Sequence, residues 1–165
     1  MKIVFTGISA MPYAREYLSN AAATLRQRGH QVFVPHEGTT KGATKGATKG
    51  AWEPPEAPAA SNRFDFEATY QALREADLLL AILDEYTVDD AVAAQIGAFH
   101  ALAREGDRPR RIVGILHDTR VAGWSWAGGD RALNPQIRES IREFGAVYPN
   151  FYAALAALET EEAPL

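Results

Sequence analysis

Asp84, Glu85, Asp89 and Asp90 crowd into the stretch LDEYTVDD, residues 83–90. Carboxylates so close together suit three kinds of work. They can act as general acids and bases at a ligand site. They bind a hard cation such as Mg²⁺. Or they only end a strand and cap a helix. The elements on either side must position them. Asp77 precedes an unbroken apolar run, Leu78 to Leu83, the pattern of a strand buried on both faces. Ala91 to Ala103 is an alanine-rich helical stretch whose free N–H groups Asp89 or Asp90 can cap. A strand thus delivers acids to its C-terminal end where a helix starts. In open α/β sheets that crevice is where ligands bind.

The 165 residues suffice for one domain with a real core, and 47% apolar with 23% charged residues fits a soluble globular chain. The net charge of −4, with no basic stripe, argues against a nucleic-acid partner. The lack of cysteine excludes disulfides, thiolate nucleophiles and thiolate metal sites, and suits a cytoplasmic location. The opening MKIVFTG turns polar too soon for a signal peptide. No apolar run is long enough to span a bilayer, so no membrane partner is expected. His30, His36, His100 and His117 are scattered, without metal-ligand spacing. Of these, His117 follows a strand and so lies at the sheet's C-terminal edge.

Along the chain, strands and helices alternate. Lys2 to Thr6 is a first strand, and Gly7 ends it where α/β proteins turn tightly into a helix. The following turn has one glycine, so it is neither a dinucleotide fingerprint nor a P-loop. Ser9 and Tyr13, just past Gly7, are candidates for ligand contacts. Helix one runs from about Tyr13 to Arg28, with Gly29 after it. Gln31 to Val34 is strand two. Thr-Lys-Gly-Ala then repeats in tandem from Thr40 to Ala51. Its period is far too short for a solenoid, and its composition cannot bury enough apolar surface to order itself. We expect a flexible loop over about 37–62, whose lysines either solubilise the chain or attract an anionic substrate. Helix two spans Arg63 to Glu75. Arg111 to Leu116 is strand four, and a loop with Trp124 and Trp126 follows. Those indoles suit stacking on a flat ring of a ligand or packing at a subunit interface. Asn134 and Pro135 open another helix ending near Phe144. Ala146 to Tyr148 is a short strand, and Phe151 to Leu158 a last helix. Together these predict a single-domain, three-layer α/β/α sandwich on a five-stranded parallel sheet, of Rossmann or flavodoxin type.

Several phrases in this order resemble the nucleoside 2-deoxyribosyltransferase family, with its related nucleoside-monophosphate N-glycosidases. They are KIVFTG, LREADLLLAI, DDAVAAQIGAFHA, RIVGIL and LNPQIRESI. The family signature is an acidic strand end, then Asp-x-Gly-Ser/Thr-Ala-x-Glu-x-Gly. Here Asp89, Gly97 and the spacing match, while Ala91 and Val92 replace the glycine and hydroxyl residue. The family's nucleophilic glutamate falls at Gln95. In the family that carboxylate attacks the sugar's anomeric carbon as the base leaves, the logic of a retaining glycosidase. Glutamine keeps the shape without the charge. A second family carboxylate, in helix two, matches Thr69. The asparagine that reaches a neighbouring subunit's site matches Asn134, which implies a homo-oligomer. The resemblance implies no cofactor and no metal.

Two functions follow. One is an enzyme acting on the N-glycosidic bond of a nucleoside or nucleotide. Water then attacks, Asp89 or Asp84 is its base, and Gln95 holds the water or a sugar hydroxyl. The other is a binding protein on the same scaffold, inactive for want of the nucleophile. A scaffold or oligomer subunit without a small ligand is a third reading. Gly7, Ser9, Tyr13, Thr69 and Asn134 complete the candidate substrate contacts.

Overall fold

The computed structural model describes residues 1–8, 11–37, 62–84, 88–117 and 133–161. The Thr-Lys-Gly-Ala repeats, Ser9, Glu85 and the three tryptophans lie outside them. Strand β1 is Lys2–Thr6, helix α1 Pro12–Gln27 and strand β2 Gln31–Phe33. A 3₁₀ turn, Pro35–Glu37, follows, so Glu37 is not part of a loop. Then come α2 (Asn62–Glu75), β3 (Leu78–Ile82), α3 (Asp90–Glu105), β4 (Arg111–Ile115), α4 (Pro135–Phe144), β5 (Gly145–Tyr148) and α5 (Phe151–Glu161). The five strands form one parallel sheet in the order β2-β1-β3-β4-β5.

Burial explains the apolar run of β3. Successive residues of a strand face opposite sides of its sheet. Leu78 and Leu80 pack with Ile3, Phe5, Val113 and Ile115 beneath α1 and α5. Leu79 and Ala81 pack with Val4, Ile112, Ile96 and Phe99 beneath α2, α3 and α4. Both faces are covered, so neither can carry a polar residue without a partner. Polarity is pushed to the strand ends.

At the N-terminal edge that polarity serves the fold. Arg110 donates to the carbonyls of Leu73 and Arg74 at 2.8 and 2.6 Å. Arg108 donates to those of Arg74 and Ala76, and to Asp77 Oδ1 at 2.9 Å. These guanidinium groups satisfy carbonyls at the C-terminus of α2 and complement its dipole. An open groove of about 660 Å³ lies here, lined by Lys2, Glu75, Asp77 and Arg108 among others. Lys2 meets Glu75 at 2.7 Å and Arg108 meets Asp77 at 2.9 Å, so its charges are spent on each other.

The switch point of the sheet lies between β1 and β3, because the chain leaves β1 toward β2 and returns on the other side. Beyond the C-terminal ends of these two strands a crevice must open.

Gly145 joins α4 directly to β5 and pairs with Ile112. A Cβ there would stand 2.0 Å from the Ile112 carbonyl oxygen. Backbone on both sides cannot yield cheaply. Gly145→Ala is expected to cost about 3 kcal/mol of folding stability. Urea unfolding of the two proteins, with a lower midpoint at unchanged slope, checks this.

Candidate functional site

The crevice holds a cavity of about 340 Å³. Thr6 and Gly7 form its floor at the end of β1, and Leu18 of α1 borders it. Thr69 and Tyr70 of α2 stand on one side, and Asp89 and Gln95 of α3 on another. Gly7 sits in a tight spot, because a Cβ there would lie 3.1 Å from both Leu18 and Ile82.

Asp89 is the N-cap of α3. Its Oδ1 accepts from the backbone N–H of Ala91 at 3.0 Å and Val92 at 3.2 Å. Asp90 is the helix's exposed first residue. The cap turns the Asp89 carboxylate toward the helix end that borders the cavity, and its other oxygen makes no hydrogen bond among the described residues. Gln95 lies on the same helix. Its Oε1 is buried and has no hydrogen-bond partner among the described residues. Leaving such a group unsatisfied costs about 1–3 kcal/mol, a cost that a bound hydroxyl or water in the cavity removes. Thr69 is buried with its hydroxyl-bearing side chain in the wall.

His36 also lines the cavity, carried by the 3₁₀ turn. Arg26 anchors that turn. The guanidinium is buried and donates to the Val32 carbonyl at 2.8 Å and to Glu37 at 2.6 Å. Burial, above all, lowers the His36 pKa from its ordinary value, with a contrary pull from Glu37. The His36 Nε2 meets the Ser19 hydroxyl of α1 at 3.3 Å. Phe66 and Tyr70, one turn apart on α2, stack with ring centroids 6.2 Å apart and planes parallel to within 1°. Phe66 is 68% exposed, unusual for so apolar a ring, and faces the cavity.

Asp84 is placed differently from Asp89. It does not line the cavity among the described residues but grips His117 just past the end of β4. Oδ1 accepts the His117 backbone N–H at 2.6 Å, and Oδ2 meets ring Nδ1 at 2.6 Å. His117 Nε2 in turn meets the Tyr17 hydroxyl at 2.9 Å. Burial first, and then the Asp84 charge, push the Tyr17 phenol up to about 12.

The sequence candidates thus divide. Gly7, Thr69, Asp89 and Gln95 converge on one cavity. Asp84 joins His117 beside it. Tyr13 is 70% exposed on α1 and Asn134 caps α4 through Gln136 N–H at 2.9 Å; neither borders the cavity. Ser9 lies outside the described residues. Sequence reasoning missed Tyr17, and it gave His36 no role. The position of His36 just beyond β2 was the available signal, since every strand end on this edge faces the same crevice. Among the described residues no three His, Asp or Glu side chains converge as a metal-binding group. No helix of those residues is long and apolar enough to cross a membrane.

The sequence model for nucleoside 2-deoxyribosyltransferases matches residues 4–136, most of the chain. The chain belongs to the nucleoside 2-deoxyribosyltransferase family. The match takes in the cavity's floor and both helices that wall it. Solved structures share the family fold. A conserved protein from Enterococcus faecalis is 20% identical with a TM-score of 0.71, the alignment covering 98% of each chain. A 2-deoxyribosyltransferase from Bacillus psychrosaccharolyticus is 19% identical with a TM-score of 0.61, over all of this chain and 93% of that one. A CMP N-glycosidase from Clostridium botulinum is 16% identical with a TM-score of 0.53, over 97% and 99%. At these identities the likeness is one of fold. No curated protein matches the sequence.

The Tyr17 environment has a measurable consequence. Its phenol holds its proton more tightly folded than unfolded, so its contribution to stability is complete below pH 10 and is lost as pH rises toward about 12. An ultraviolet difference titration is expected to show one late tyrosine that vanishes in Tyr17→Phe. A titration that the substitution leaves unchanged would show Tyr17 unperturbed.

Proposed function

We propose that this family member cleaves the N-glycosidic bond of a nucleoside or nucleotide, with water rather than a glutamate attacking the sugar. The observation that carries this reading is the buried, unpartnered Gln95 Oε1 beside the Asp89 carboxylate in the switch-point cavity. A sugar hydroxyl supplies the donor that Oε1 lacks. The cleavage transition state is positive at the sugar, and Asp89 brings the matching negative charge. The aromatic wall of Phe66 and Tyr70 suits a flat base.

Gln95 occupies the place of the family's nucleophilic glutamate, and Thr69 that of its second carboxylate. An amide is a poor nucleophile, so no covalent glycosyl-enzyme forms here and water must reach the anomeric carbon. The same neutrality supports a second reading, a protein that binds the nucleoside or nucleotide without reacting. In either case the match of Asn134 to the family's intersubunit asparagine supports a homo-oligomer. We further propose that the chain is one domain working in the cytoplasm, in keeping with its lack of cysteine.

Ribo- and deoxyribonucleosides and their 5′-monophosphates, incubated with the protein and resolved by chromatography, test the reading. Base release is expected from the unmodified protein. Asp89→Asn keeps a competent helix cap while removing the charge, and is expected to slow release about 10²-fold. Silence from the unmodified protein, with release by Gln95→Glu, would instead establish the binding protein.

A further inference from the structure

In the glycosidic reading Asp89 faces the positive charge of the transition state, and the proton of the attacking water calls for a second acceptor. Asp89 is committed to the α3 cap through one oxygen. The Asp84–His117–Tyr17 chain has no part in the cavity wall as described, yet its geometry is that of an activating triad. In such triads a base hydrogen-bonds an O–H group and is itself oriented by a third side chain.

The three residues come from three elements. Asp84 follows β3, His117 follows β4, and Tyr17 sits on α1. Thr6 pairs with Ala81, so β3 runs beside the strand whose end floors the cavity. Neighbouring strands lie about 4.8 Å apart. Asp84 is thus rooted one strand spacing from that floor. Tyr17 stands next in sequence to Leu18, which borders the cavity against Gly7. The chain therefore lies at the same C-terminal sheet edge as the cavity, outside its described lining. Its solvent-facing end is Tyr17, 39% exposed.

The hydrogen-bond pattern gives the chain a direction. Asp84 accepts at Oδ2, so the neutral imidazole carries its hydrogen on Nδ1. Its Nε2 lone pair then faces the Tyr17 hydroxyl, which donates. The hydroxyl oxygen is left able to accept a proton from outside. Charged or titratable groups facing the imidazole among the described residues are Asp84 from the end of β3 and Tyr17 from α1. Tyr152 of α5 acts on Tyr17 in turn.

We propose that Tyr17, His117 and Asp84 form a proton relay that deprotonates the attacking water, which makes the reaction hydrolysis and not base exchange. This rests on the glycosidic reading above. The water oxygen bonds to the anomeric carbon as the bond from that carbon to the base nitrogen breaks, its electron pair leaving with the base. The water proton passes to Tyr17 Oη, and the proton already there passes to His117 Nε2. Asp84 faces the resulting imidazolium. The released base takes one proton from solvent and the imidazolium returns one. Nucleoside plus water thus gives free base plus free sugar.

The test is the rate of base release against pH for the unmodified protein, Tyr17→Phe, His117→Gln and the double variant. The rate is expected to fall on the acidic side. Each single variant is expected to lose about 10²-fold or more and to flatten that limb. The double variant is expected to be no worse than the weaker single, because the groups act as a unit. A second free base in the mixture is expected to leave no exchanged nucleoside. Tyr17→Phe keeps the aromatic ring, so circular dichroism can confirm that it folds should His117→Gln fail to. The relay is overturned if Tyr17→Phe keeps its rate within about twofold with the acidic limb intact, or if exchange is as fast as release. Release that survives in the variants removes the relay alone. No release from any nucleoside by the unmodified protein removes the glycosidic reading, and the relay with it.

Discussion

Leu78, Leu79, Leu80 and Ala81 are fully buried, two on each side of the sheet, and helices cover both sides. A strand in that position has no water-facing surface. Every group that must meet solvent or ligand has to leave it at one end or the other. The N-terminal edge is taken up by arginines that satisfy the end of α2. The C-terminal edge is where β1, β3 and β4 release Gly7, Asp84 and His117, and where α3 begins. The location of chemistry in this molecule follows from the dryness of its central strand.

Within that edge the polar groups are unequal. Asp84 is fastened to His117 by two short hydrogen bonds. Asp89 divides its carboxylate between the helix cap and the cavity. Gln95 is the group whose oxygen the fold leaves unsatisfied. A core position would not tolerate that without compensation, and the cavity beside it is the place where compensation can arrive. His36 adds a ring whose pKa burial lowers, and Asp89 is the acidic side chain among the described lining residues. Such a lining suits a polar, hydroxyl-rich ligand with an apolar ring, which is the chemistry of a nucleoside. The membership of the chain in the nucleoside 2-deoxyribosyltransferase family is consistent with it.

Much of the fold was legible because apolar patterning reports burial. The unbroken run at residues 78–83 and the alternation of strands with helices suffice for a parallel sheet. Patterning reports pairing less well. Val34, Leu83 and Leu116 were expected within strands and are buried, but β2, β3 and β4 stop one residue before them. Asp89 was legible as a helix cap from residue type and position. The tie from Asp84 to His117 was not, for the two are 33 residues apart, and Tyr17 is 100 residues from His117. Such contacts depend on which strands are neighbours and how α1 lies on them. Local sequence carries no record of that. The burial of the Gln95 Oε1 atom was likewise invisible, since a polar residue on an alanine-rich helix reads equally well as solvent-facing.

The claim on which the rest turns is that a nucleoside or nucleotide sits against Gln95. A two-dimensional amide NMR titration with a nucleoside 5′-monophosphate measures this directly, because the Gln95 side chain has its own amide signals. Shifts concentrated at the Gln95 side chain and at the Thr69, Asp89 and His36 backbones would place the ligand in the switch-point cavity, as expected. Shifts confined to Lys2, Glu75 and Arg108 at the opposite edge, or no saturable shift at Gln95, would contradict it.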